Sequence, residues 1–312
     1  MDFLEALKKG PLFFDGAMGT MLQKAGLRAG MPGEVLNLKD PETVLNVQRA
    51  YAAAGCDIIQ MNTFGANRIK VAKSGLVPAS QAADEAAAYI RAAAKIAGQA
   101  LAQGRPEQLK ETRGPGFLAL DIGPVGEFLE PFGDLGYDEA YDAFYQMTEA
   151  CGSLADLVLV ETMYDLNEAR AAVTAARDCS SLPVVLSATL SAEGRTLMGG
   201  SIEDIVSAAY ETGCCAVGLN CGYGPEDMLG HLPELIAQTE KMAAEGEDAM
   251  PVLIMPNAGL PKNIGGVNVY GLSPEDFAVS MKKAADGGAA LLGGCCGTTP
   301  EHMRRMIEML RG

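Results

Sequence analysis

The chain reads as an α/β protein, a single (β/α)8 barrel occupying residues 1–312, on three observations. Eight short apolar runs recur along its length. Each leads into a polar or glycine-rich turn and then an alanine-rich helical pattern. The residues that close the runs are polar or thiol-bearing, as expected where strands end at a barrel mouth. A doubly wound open sheet is the competing architecture, but it more typically uses fewer strands.

The elements follow in order. MDFLEALKKG is a short amphipathic segment that lacks the long apolar core of a signal peptide, and it precedes the first run, PLFFDG. A helix is predicted from Pro41 to Ala54, with proline in its first turn, before the second run, CDIIQMNTF. The pattern Ala79 to Ala102 is helical. Gln103 to Gly116 is a charged excursion into the third run, GFLALDIG, and belongs on the face away from the mouth. Helices Tyr137 to Gly152, Leu166 to Asp178 and Ser201 to Thr212 alternate with DLVLVET, PVVLSAT and AVGLNCG, and PVLIMPN and AALLGGCC complete the set. Long glycine- and proline-rich segments follow strands one, three and seven, whereas most connections entering strands are short.

Composition limits the function classes. A formal charge of −16 disfavours nucleic acid and anionic membrane surfaces, and the longest apolar stretches are only strand-length. Eight cysteines with no export signal suggest a reducing compartment, so a cytoplasmic protein is expected.

The mouth-facing candidates are Asp15, Asn62 with Thr63, Asp121, Glu161, Ser187 with Thr189, Asn220 with Cys221, Asn257, and Cys295 with Cys296. Three cysteines delivered this way can hold one zinc ion and leave a fourth position open, the plan of a catalytic site. Neighbouring strand residues point to opposite faces, so Cys295 and Cys296 share a metal only if the strand breaks, which Gly293, Gly294 and Gly297 permit. Two other readings stand on spacing alone: adjacent cysteines are often small buried hydrophobes, and a glycine-rich turn after a last strand also suits a phosphate. Cys214 and Cys215 precede their strand. With Cys56, Cys151 and Cys179 they are assigned to packing, as are His231 and His302, read at helix starts. Strands four and eight lie across a barrel from each other, which places the Glu161 carboxylate opposite the proposed metal and within reach of a substrate's cationic group.

DGAMGTMLQ, PETVLNVQRAYAAAGCDIIQMNTFGANRIK, GPVGEFLEPFGDLGYDEAY, LVLVET, GLNCG, MPNAG and GGCCGTTPEH together resemble the homocysteine S-methyltransferases, over about Phe14 to His302. The resemblance implies a (β/α)8 barrel in which Cys221, Cys295 and Cys296 bind zinc and activate the substrate thiolate of homocysteine. It also implies that Asp15 with the backbone of Gly16, and Glu161, hold the amino-acid portion, and that Asn257 occupies or flanks the open zinc position. Asn62 and Asn220 join them as substrate contacts. Within the family, Asn62-Thr63-Phe64-Gly65, DGAMGTMLQ and FGDLGYDEAY are closest to the homocysteine-binding domain of cobalamin-dependent methionine synthase. A methylcobalamin donor on a separate corrinoid protein or domain is therefore expected, the chain having no DxHxxG corrinoid-ligand motif. S-methylmethionine or betaine as donor, a homocysteine-binding module inactive without its partner, a phosphate-binding barrel and a demethylating direction are the alternatives.

Overall fold

The structure, a computed structural model, describes residues 2–28, 30–243, 248–264 and 267–312. Eight parallel strands form the expected barrel: Leu12–Phe13, Ile58–Gln60, Phe117–Ile122, Leu157–Met163, Val184–Ala188, Ala216–Asn220, Val252–Met255 and Ala289–Leu292, here numbered one to eight. Strand one pairs with strand eight, Leu12 beside Leu291, so the sheet does not end in open edges. A parallel bridge between Phe14 and Ile58 closes the remaining seam and rules out the open-sheet alternative.

The helices fall where their patterns and caps put them. Asp40 accepts a hydrogen bond from the Thr43 N–H, and Pro41 opens helix Pro41–Ala53. Ser201 caps Ile202–Thr212 rather than entering it, and Gly213 stops that helix at φ +72. The pattern predicted from Ala79 begins as a 3-10 turn, Ala79–Gln81, before the α-helix Ala82–Gly104. His231 lies in the second turn of Pro225–Met242 rather than at its start, a correction to the sequence reading; the helix begins earlier, at Pro225, because Gly224 and Pro225 set its entry. Ala29 and the pair Gly265-Gly266, in the loops after strands one and seven, lie outside the described residues.

Two apolar cores result. The larger lies between strands and helices, and the smaller fills the barrel itself with alternate residues such as Leu12, Phe14, Phe117, Leu159, Val185 and Leu253. The N-terminal segment forms helix Phe3–Leu7, whose Phe3 enters the inner core and meets Phe117 edge to face at 5.8 Å. It plugs the lower end. Inward parity then continues up each strand: Ala119 leads to Asp121, Leu159 to Glu161, Met255 to Asn257 and Leu291 to Cys295.

Among the described residues no helix is long and apolar enough to cross a membrane.

Candidate active site

A cavity of about 660 Å³ opens at the carboxyl ends of the strands. Its wall brings together Asp15, Gly16, Asn62, Glu161, Cys221, Cys295 and Cys296. Asn220 and Asn257 are also at the strand ends but are buried, 0% and 3% exposed, and do not line the cavity.

Backbone geometry explains how three thiols converge. Strand six ends on Asn220, and Cys221 takes a left-handed conformation, φ +59, which a non-glycine residue seldom adopts. Strand eight ends at Leu292. Beyond it Cys295 N–H donates to the Pro256 carbonyl at 2.8 Å, Ala258 N–H donates to the Cys296 carbonyl at 2.9 Å, and Gly297 turns the chain at φ +82. A side chain at Gly297 would collide with the Tyr270 ring, whose nearest atom lies 2.2 Å from the position of a Cβ. The strand therefore breaks where the cysteine pair requires it.

The Sγ atoms of Cys221, Cys295 and Cys296 all lie within 4.8 Å of one another, and all three thiols are free. Around one zinc ion at about 2.3 Å from each sulfur, tetrahedral geometry separates sulfurs by about 3.8 Å, so the trio fits that ion. The other five cysteines form no such group among the described residues. Cys215 donates its S–H to the Val184 carbonyl, and Cys214 meets Thr212 Oγ1. Burial pushes Cys214 up to about 11 and Cys151 and Cys215 up to about 12, the signature of inert packed thiols. Within the trio, hydrogen bonds from Cys221, Cys295 and Tyr270 pull Cys296 down to about 3. Cys295, tied to both neighbours and buried, is held well above its ordinary range. A cation bound between them would favour the ionised form of all three.

The acids stand close by. Asp15 accepts from Gln60 N–H at 3.2 Å and Gln60 Nε2 at 3.0 Å, yet burial raises its carboxyl to about 8. Glu161 also stands at about 8, raised by burial and then by the charges of Cys296 and Asp15. A cation bound beside them would favour the ionised form of both. Gly16 has no room for a side chain, since a Cβ would lie 2.6 Å from Thr298 Oγ1 and 2.9 Å from the Tyr51 ring. Asn62 donates to the Gly33 carbonyl and to Asn37 Oδ1, which fixes the loop after strand one over the cavity.

Asn220 spends its amide on the protein. Its Oδ1 accepts from Thr162 N–H and Ser187 Oγ at 2.8 Å, and its Nδ2 donates to Thr162 Oγ1 at 2.7 Å and to Glu161 Oε2 at 3.2 Å. These bonds hold Thr162 at φ +60 and thereby aim Glu161. Asn257 differs: its Oδ1 is buried with no hydrogen-bond partner among the described residues, and it sits between the two backbone bonds that tie strand seven to the cysteine turn.

Sequence reasoning missed Gln60, Thr162 and Tyr270. Gln60 shares inward parity with Asn62, a signal that was available; nothing in the sequence pairs Tyr270 with Cys296. Neither histidine lines the cavity. His302 bonds Thr299 Oγ1 through Nδ1 and the Leu272 carbonyl through Nε2, and burial lowers its pKa, keeping the ring neutral.

Fold and cavity together define a thiol-lined (β/α)8 barrel whose chemistry is concentrated at the carboxyl ends of its strands. The chain belongs to the homocysteine S-methyltransferase family, whose sequence model matches residues 12–310. Methionine synthase of Mycobacterium leprae (strain TN) is 33% identical over 320 residues, 98% of this chain and 25% of that protein. Methionine synthase of Mycobacterium tuberculosis (strain ATCC 25618 / H37Rv) is 32% identical, with the same coverage. The chain spans a quarter of the length of these relatives. Among solved structures, the homocysteine methyltransferase MmuM from Escherichia coli in its metallated form superposes with a TM-score of 0.77 at 21% identity, covering 99% of both chains, a likeness of fold.

Proposed function

We propose that this barrel binds and activates homocysteine for zinc-dependent methylation to methionine, with the methyl group delivered by methylcobalamin on a separate corrinoid protein or domain. The observation that carries the reading is the convergence of three free thiols on one cavity that also holds two buried, cation-seeking carboxyls. Cys221, Cys295 and Cys296 would hold the zinc ion, which supplies Lewis acidity that keeps a substrate sulfur as thiolate at neutral pH while three cysteinates leave it electron-rich. Asp15 and Glu161 orient the amino acid through its ammonium group, and Asn220 fixes the aim of Glu161. Apolar walls including Met18, Met31, Met61 and Leu76 limit water beside the thiols.

The methionine synthase relatives and the Asn62-Thr63-Phe64-Gly65 sequence support the corrinoid donor. Large exposed apolar side chains around the mouth, Phe128 and Phe132 after strand three, Leu197 after strand five and Leu260 after strand seven, suit a docking rim for a macromolecular donor. A second reading, a self-sufficient enzyme using S-methylmethionine or betaine, draws on the match to MmuM over 99% of both chains. Methyl transfer to homocysteine assayed with free methylcobalamin, S-methylmethionine and betaine in parallel separates them. Turnover with methylcobalamin, rising steeply when a cognate corrinoid protein carries it, is expected. Robust turnover with either small donor and none with methylcobalamin would overturn the corrinoid assignment.

Glu161→Gln tests the ammonium site. Loss of a charged hydrogen bond worth about 1.5–3 kcal/mol should weaken homocysteine binding on the order of ten- to a hundredfold, with zinc content unchanged. Unaltered affinity in calorimetry would move the ammonium group to Asp15.

A further inference from the structure

Besides Asp15, Glu161 and Glu34, whose Oε1 accepts from the Gly65 N–H, the cavity holds a fourth carboxyl, Asp121, at the end of strand three. Its backbone is clamped on both sides by one hydroxyl: Thr63 Oγ1 donates to the Asp121 carbonyl at 2.8 Å and accepts from the Asp121 N–H at 3.2 Å. The side chain is 6% exposed, and its Oδ1 has no hydrogen-bond partner among the described residues. The contrast with its neighbours is chemical. Asp15 accepts two hydrogen bonds and Glu161 accepts one, whereas the protein offers this Asp121 oxygen none.

Four carboxyls in one cavity disfavour one another's ionisation, and the least solvated of them is disfavoured most. Burial acts first on Asp121, the charges of Glu161, Asp15 and Glu34 add to it, and the opposing charge of Lys70 does not compensate. Lys70 itself stands over the Phe64 ring at 4.9 Å and lines the same cavity. The cavity is therefore polarised, with Asp15 and Glu161 on the side of the thiols and, near Lys70 on the wall formed by strand three and the segment after strand two, a carboxyl that burial and its acidic neighbours disfavour as an anion. An amino acid has the matching pair of charges.

Resting on the homocysteine reading above, we propose that Asp121 is a specificity-determining residue that donates its carboxyl O–H to the α-carboxylate of the substrate, while Asp15 and Glu161 take the ammonium group. A protonated carboxyl in an apolar site is suited to such donation. The hydrogen bond distinguishes an amino-acid thiol from a simple aminothiol.

Calorimetry on the zinc-loaded chain with two probes, L-homocysteine and 3-aminopropane-1-thiol, tests it; the second keeps thiol and amine but lacks the carboxylate. Asp121→Ala should weaken homocysteine binding on the order of tenfold or more, because the bond it removes has a charged acceptor. Asp121→Asn, whose amide still donates, should stay within about threefold of wild type. All three proteins should bind the aminothiol alike. Equal losses in the alanine and asparagine variants would mean that an ionised Asp121 holds the ammonium group, and an alanine variant that weakens both probes equally would reduce the residue to packing; either overturns the proposal. Wild-type protein that binds neither probe would overturn the homocysteine reading beneath it, a result distinct from the other two.

Discussion

Cys295→Ala is expected to leave the purified chain almost free of zinc, where the wild type should carry about one ion per chain, and to depress homocysteine methylation on the order of a thousandfold or more. The size follows from the chemistry: a metal that stabilises a thiolate contributes several kcal/mol, and each factor of ten in rate is about 1.4 kcal/mol. Cys221→Ala and Cys296→Ala should behave alike, since the three sulfurs stand within 4.8 Å of one another and two sulfurs make a poor site. Cys214→Ala and Cys215→Ala are the internal controls, because those thiols are committed to Thr212 and to the Val184 carbonyl. Metal analysis of the purified variants decides the matter without an activity assay. Zinc lost from either control and retained by Cys295→Ala would place the metal elsewhere.

These cysteines were legible because their chain context is local. Each sits at the end of an apolar run beside glycines, and in a (β/α)8 barrel that position is the mouth. The strands were legible for the same reason: parallel strands buried on both faces read as short continuous apolar runs, and all eight are found where such runs stand. What the sequence could not convey is how polar side chains divide their hydrogen bonds. Asn220 reads as a substrate contact from its place beside Cys221, yet its amide is consumed by Thr162, Ser187 and Glu161, residues of other strands. Tyr270 reaches Cys296 from a loop whose path nothing local dictates. The charged excursion from Gln103 to Gly116 lies away from the mouth, as its place ahead of strand three predicts, but only the folded chain shows what it does, with Arg105 and Arg113 beside Asp57, just ahead of strand two.

That cluster carries the second large expectation, in stability rather than activity. Asp57, 1% exposed, receives Arg105 at 2.9 Å, Arg113 at 3.2 Å and Arg311 at 2.8 Å, which joins the excursion and the C-terminal helix to the base of strand two. Arg105 is the buried member: its side chain is 0% exposed, and its guanidinium also donates to the Cys56 and Gly114 carbonyls. Asp57→Asn removes the only carboxylate these three salt bridges share and leaves the Arg105 charge buried without a counter-ion, a change that costs about 3–5 kcal/mol. At about 2 °C per kcal/mol for a domain of this size, the melting temperature should fall by roughly 6–10 °C. Arg105→Ala should cost several times more than Arg113→Ala, because the Arg113 side chain is 32% exposed and solvent screens its pairing. The zinc content and homocysteine affinity of the folded variants should match wild type, since the cluster lies at the end of the barrel opposite the cavity. Thermal unfolding followed by circular dichroism reads the first effect and calorimetry the second. A melting temperature unmoved by Asp57→Asn would show that the arginines are as well solvated without their acid as with it, and the cluster would then be dispensable for holding the lower end of the barrel closed.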